Sequence, residues 1–120
     1  MKILLVDDDV FAAELASLYL EMSGYEVTIA ESAIAAFGSL GAESGIELVV
    51  SDLHMPDING LELLEALRAQ GWDKPFILLS ANEVTDSQAV WDRWVKKDEH
   101  LADTLVAAVN DILQPSTLVN

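Results

Sequence analysis

Ile3-Leu4-Leu5-Val6-Asp7-Asp8-Asp9 opens the chain with an uninterrupted apolar run that turns at once into three carboxylates. A run this short cannot cross a membrane or form the core of a signal peptide, so the protein reads as cytoplasmic. It suits a strand buried on both faces, the kind a parallel sheet uses when helices cover both sides. Further runs of the same sort follow at Val27 to Ile29, Leu48 to Val50, Phe76 to Leu79 and, more weakly, Trp94 to Val95. Amphipathic stretches separate them, and this alternation predicts an α/β fold with a mostly parallel sheet.

The intervening stretches read as helices. Phe11, Leu15, Leu18, Tyr19 and Met22 recur at helical spacing, and Gly24 sits where a helix would end in the left-handed region. Ile34, Phe37 and Leu40 make a short second helix behind Ser32 as N-cap, with Gly41 and Gly45 at its exit. Leu61, Leu64 and Leu67 stripe a third from Gly60 to about Gln70, stopped by Gly71. Leu101, Leu105, Val109 and Ile112 stripe the last, with Asp98 as the candidate cap. The stretch from Asn82 to Arg93 has room for only about two or three turns of helix.

Composition narrows the function. The 120 residues, 52% of them apolar, fit one domain with one substantial core, so residues 1–120 are expected to fold as a unit, with 114–120 as a flexible tail. Twenty-one acidic residues against six Lys plus Arg give a net charge of -15, which argues against direct nucleic-acid binding and points to basic partners. The absence of cysteine excludes disulfides, thiolate catalysis and Cys-based metal sites.

Ligands of a parallel α/β sheet bind beyond the carboxyl ends of the strands. The residues that end or follow the apolar runs here are Asp7, Asp8 and Asp9, then Ser51 and Asp52, then Ser80, then Lys96 and Lys97. If the strands are neighbours, carboxylates, a hydroxyl and an ammonium converge at one edge. Crowded carboxylates repel one another unless a hard cation lies between them, and Mg2+, an oxygen-seeking octahedral ion, is the natural occupant. A carboxylate beside such a cation can attack a phosphoryl donor.

Taken together, three segments resemble the receiver domain of bacterial response regulators, the CheY-like phosphoacceptor family. They are Ile3 to Asp9, then Leu48-Val49-Val50-Ser51-Asp52-Leu53-His54-Met55-Pro56-Asp57-Ile58-Asn59-Gly60, then Phe76-Ile77-Leu78-Leu79-Ser80-Ala81. The middle one is the most specific: an aspartate ending a buried strand, Met-Pro three residues on and Gly eight residues on. The resemblance implies a doubly wound, flavodoxin-like sheet of five parallel strands in the order 2-1-3-4-5. It implies Asp52 as the phosphorylated residue, with Mg2+ (Mn2+ able to substitute) held by Asp7, Asp8, Asp52 and the backbone carbonyl of His54, Asp8 being the more direct ligand of the acid pair. Ser80 and Lys97 then bind the phosphoryl oxygens, Trp94 fills the aromatic switch position, and His54 and Asn82 tune the lifetime of the phosphate.

Two departures stand out. Lys97 is followed by Asp98, where the family usually has a proline joined through a cis bond, and Lys96 stays open as the alternative cation. The interval from Ser80 to Lys97 is shorter than usual by roughly a helical turn or more, which predicts a shortened fourth helix. His100 is expected to face solvent, and Trp72 and Trp91 to pack or lie partly at the surface. By the same resemblance the chain is a signalling switch rather than an ordinary enzyme, catalysing only its own phosphorylation and dephosphorylation. Its partners would be a sensor histidine kinase or a phosphotransfer protein of a phosphorelay, and a downstream protein target. Neither nucleic acid nor membrane is expected as a partner, and a homodimer on phosphorylation stays open. The alternatives are a pseudo-receiver that binds proteins without phosphorylation and a Mg2+-dependent phosphohydrolase, the latter disfavoured because His54 stands where a second aspartate would be needed. With no DNA-binding or catalytic segment after Leu113, the chain reads as a stand-alone receiver, and a piece cut from a longer regulator is the other option.

Overall fold

The computed structural model describes residues 1–41, 44–82 and 91–114. Along the chain these form β1 (Lys2–Val6), α1 (Val10–Met22), β2 (Glu26–Ala30), α2 (Ala33–Ser39), β3 (Ile46–Asp52), α3 (Gly60–Ala69), β4 (Phe76–Ser80), β5 (Arg93–Lys96) and α4 (Leu101–Leu113). The strands make a single sheet in the order β2-β1-β3-β4-β5, every pairing parallel. The expected architecture and strand order are both present.

Alternation along the central strands explains why their sequences read as unbroken apolar runs. Ile3, Leu5, Leu48, Val50, Ile77 and Leu79 face one side of the sheet, where α1 and α4 cover them. Leu4, Val6, Val49, Phe76 and Leu78 face the other, under α2 and α3. Each fully buried aliphatic side chain contributes about 1.5–3 kcal/mol through the water it no longer orders, so these three strands carry much of the stability. The edge strands differ: β2 and β5 bury only part of their residues, since each has a neighbour on one side alone.

The helix ends follow local chemistry. Asp9 caps α1 by accepting from the N–H groups of Phe11 and Ala12, and Ser32 caps α2 by accepting from Ala35 N. Asn59 and Glu62 form a reciprocal capping box at the start of α3. Gly24 and Gly71 leave α1 and α3 with positive φ, as a left-handed exit requires. The expected cap of the last helix is corrected. His100 is the N-cap of α4 and makes no side-chain cap hydrogen bond, while the carboxylate of Asp98, two residues earlier, accepts from His100 N. His100 is exposed, as expected, and Gln114 closes α4 by donating its N–H to Asn110 O at 2.7 Å.

The stripe that announced α1 lies on the wrong face to be core. Phe11 is 86% exposed and Met22 74%, with Leu15, Leu18 and Tyr19 also exposed, whereas the buried face consists of Ala13, Ala16, Ser17 and Leu20. Small residues face inward because α1 packs closely against the sheet and α4, and the large apolar ones are left outside. Trp72 and Trp91 pack half-buried against the cluster under α2 and α3. The shortened fourth helix falls on residues 83–90, and the tail beyond Gln114 on 115–120; both expectations lie outside the described residues.

Candidate functional site

The chain runs from β1 outward to β2 and then crosses back to β3 on the other side of β1, so the carboxyl ends of β1 and β3 flank the point where strand order reverses. Crevices of this kind are where open α/β sheets bind ligands. Asp7 leaves β1 there and Asp52 ends β3 there. One carboxylate oxygen from each of Asp7, Asp8 and Asp52 can be chosen so that all three lie within 4.8 Å of one another.

The three consecutive aspartates divide their work. Asp7 is 3% exposed and accepts from Asp9 N at 2.9 Å, which turns the chain at the end of β1. Asp9 caps α1, and Asp8, exposed between them, is committed to neither. Asp52, 6% exposed, accepts from His54 N at 3.4 Å, while neighbouring Ser51 turns its hydroxyl onto the Asp52 carbonyl. Leu53 N donates to Leu79 O and Gly60 N to Leu53 O, both at 2.8 Å, closing the loop that follows Asp52. Gly60 belongs at that point because a Cβ would stand 2.5 Å from the Asp52 carbonyl oxygen.

From the other side comes a cation. Lys97 N donates to Ser80 O at 2.9 Å, extending the pairing of β4 and β5, and this aims the side chain inward. Its Nζ lies 3.2 Å from Asp52 Oδ2 and 3.5 Å from Asp7 Oδ2. Lys96, one residue earlier, is exposed and enters no ion pair among the described residues, so of the two lysines it is Lys97 that reaches the carboxylates. No peptide bond among the described residues is cis, and Asp98 therefore follows Lys97 in the ordinary way.

Ser80 ends β4, buried, and its hydroxyl both donates and accepts. It donates to the Asn82 carbonyl and accepts from the indole Nε1 of Trp94 at 2.8 Å. Sequence reading brought Ser80 and Trp94 to the same neighbourhood without this direct bond, because indole direction depends on tertiary packing. Asn82 and His54 are exposed beside the cluster. A second residue carried no sequence-level role at all: Asp57, whose Oδ2 accepts from Ile34 N at the start of α2, 3.1 Å away.

Burial pushes the Asp7 carboxyl up from its usual range, with the Asp52 charge adding to the effect and the Asp9 N–H and Lys97 opposing it. Burial would lower the Lys97 ammonium, but the charges of Asp7 and Asp52 outweigh it and hold the group above its ordinary value. Three carboxylates against one ammonium leave a local excess of two negative charges. Oxygen donors in this number and charge fit a small hard dication such as Mg2+ and do not fit a soft transition metal. The His54 carbonyl, which accepts no backbone hydrogen bond among the described residues, is a further free oxygen in the adjoining loop.

The family model described as "Response regulator receiver domain" matches residues 3–109. The chain belongs to the response-regulator receiver family. Among curated proteins, response regulator SaeR of Staphylococcus aureus (strain USA300) is 34% identical over 79 residues, 66% of this chain. The aligned part is only 34% of that relative's length. Among solved structures, the receiver domain of Francisella response regulator 1452 superposes with a TM-score of 0.82 at 28% identity, covering 92% of this chain and 94% of that one. TrrA of Thermotoga maritima, a response regulator solved in complex with Mg2+-BeF, gives 0.79 at 34% identity over 92% of this chain and 97% of its own. Family membership makes this receiver a signalling domain in type, and no helix among its described residues is long and apolar enough to cross a membrane.

Proposed function

We propose that this receiver accepts a phosphoryl group on Asp52 and uses it to switch a protein-binding surface. The observation that carries the reading is the triad of carboxylates Asp7, Asp8 and Asp52 closed by the Lys97 ammonium at the reversal point of the sheet. In it, Asp8, Asp52 and the His54 carbonyl would hold Mg2+, with Asp7 completing the acid set, and Mn2+ would substitute. The ion supplies charge neutralisation at the phosphoryl oxygens. An Asp52 carboxylate oxygen attacks phosphorus, the bond from phosphorus to the donor's histidine nitrogen breaks, and the nitrogen keeps the electron pair. Lys97 stays beside the new acyl phosphate as its counter-charge.

Once phosphate is present, the Ser80 hydroxyl must leave the Asn82 carbonyl to donate to a phosphoryl oxygen, since a hydroxyl has one proton to give. That movement disturbs the Trp94 indole bonded to it, and so carries the chemical event to the β5 surface. His54 and Asn82, exposed at the rim, control water access and thereby the phosphate lifetime. The donor is a sensor histidine kinase or phosphotransfer protein in the cytoplasm, and the recipient of the signal a downstream protein, with phosphorylation-driven dimerisation as one form of output. The exposed apolar face of α1 begins directly after Asp9 and carries Glu14 and Glu21 but no Lys or Arg, which supports a partner with an apolar, basic-rimmed surface.

Incubation with acetyl phosphate, with Mg2+ or with EDTA, followed by intact mass measurement, tests the reading. A labile, Mg2+-dependent phosphoryl adduct is expected. No adduct makes the chain a pseudo-receiver, and sustained turnover of varied phosphomonoesters makes it a phosphohydrolase.

A further inference from the structure

We propose that Asp57 is a positioning residue for the divalent cation: its carboxylate ties the loop after β3 to the first turn of α2 and so fixes the His54 carbonyl relative to Asp8 and Asp52. The proposal rests on the metal site described above and deepens it. The loop from Leu53 to Asn59 is fastened at its two ends, by Leu53 N to Leu79 O, Gly60 N to Leu53 O, and the capping box of Asn59 and Glu62. His54 lies between those anchors, and its own link to Asp52 is long at 3.4 Å. Among the described residues, the Asp57 bond to Ile34 N ties the middle of this loop to α2.

What Asp57 grips is itself rigid. The first turn of α2 is seated by Ala33 and Ala36, both fully buried against the sheet. Helix capping alone does not require a residue from a distant segment, because Ser32 already serves Ala35 N at 3.0 Å. Nearby backbone N–H groups, that of Ile58 first, hold its pKa below the usual range although it is exposed. Groups that orient metal ligands from behind commonly govern affinity without touching the ion.

Calorimetric titration of the purified chain with Mg2+ tests this, using Asp57→Ala, Asp57→Asn and Ser32→Ala. Asp57→Ala is expected to weaken Mg2+ binding on the order of tenfold. Asp57→Asn keeps an oxygen acceptor for Ile34 N and restores most of the affinity. Ser32→Ala removes a cap from the same helix, lowers the melting temperature, and leaves the affinity at the wild-type level. Wild-type affinity in Asp57→Ala overturns the proposal. So does equal weakening in Asp57→Ala and Asp57→Asn, which would make the effect one of charge, or in Ser32→Ala, which would make it one of helix stability. Absence of Mg2+ uptake by the wild-type protein is a different failure, since it removes the metal site itself.

Discussion

Replacing Asp7 by Asn should stabilise the metal-free protein while weakening its response to Mg2+. At an effective dielectric of about 20, Lys97 at 3.5 Å attracts the Asp7 carboxylate by about 5 kcal/mol. Asp8 and Asp52, with oxygens within 4.8 Å, each repel it by at least about 3.5 kcal/mol. The balance is about 2 kcal/mol unfavourable before any penalty for burial, and solvent around exposed Asp8 reduces it to about 1 kcal/mol. Asn preserves an oxygen to accept from Asp9 N and removes the charge. The expected gain is therefore about 1 kcal/mol, or about 4 °C in melting temperature for a domain of this size. The pH dependence has a definite sign. Asp7 is raised in the folded state from 3.8, so its contribution is fully present below that value and is lost as pH rises through the folded pKa. Wild-type stability in EDTA should fall across that window more steeply than that of the variant. Thermal melts from acid to neutral pH, in EDTA and in saturating Mg2+, provide the comparison. A variant less stable than wild type in EDTA at neutral pH, or one equally stabilised by Mg2+, would refute the electrostatic account.

Gly60→Ala places a Cβ 2.5 Å from the Asp52 carbonyl oxygen and 3.1 Å from Leu78 Cδ1, and should cost about 3 kcal/mol in urea denaturation. Leu20→Ala should cost about 2–5 kcal/mol because Leu20 is fully buried on the inner face of α1. Leu18→Ala, on the exposed face of the same helix, should stay within about 0.5 kcal/mol of wild type by the same assay. Lys97→Ala should slow labelling by acetyl phosphate about 100-fold, as loss of a cation aimed at developing charge does. Lys96→Ala should leave that rate unchanged, since its side chain enters no ion pair among the described residues.

The central strands were legible because burial on both faces leaves an unmistakable mark, as in Ile3 to Val6 and Phe76 to Leu79. Caps at Asp9, Ser32 and Asn59 act within three residues of themselves, and that at Ser32 could be read locally. The orientation of α1 could not. Its large apolar residues recur at helical spacing, yet the close approach of the helix to the sheet selects Ala13, Ala16 and Ser17 for the inner face. The choice between Lys96 and Lys97 was equally beyond local reading, because it depends on where β5 stops pairing with β4. Asp57 gave no signal at all: its partner is a backbone N–H more than twenty residues earlier in the chain.

The central claim is that Asp52 is the acceptor within a Mg2+-dependent site. Its most direct test is to label the protein with acetyl phosphate, reduce the acyl phosphate with borohydride, and locate the reduced residue by peptide mass. The account predicts modification at Asp52 alone, abolished by EDTA. Modification at Asp7, Asp8 or Asp57 instead, or labelling indifferent to Mg2+, would contradict it.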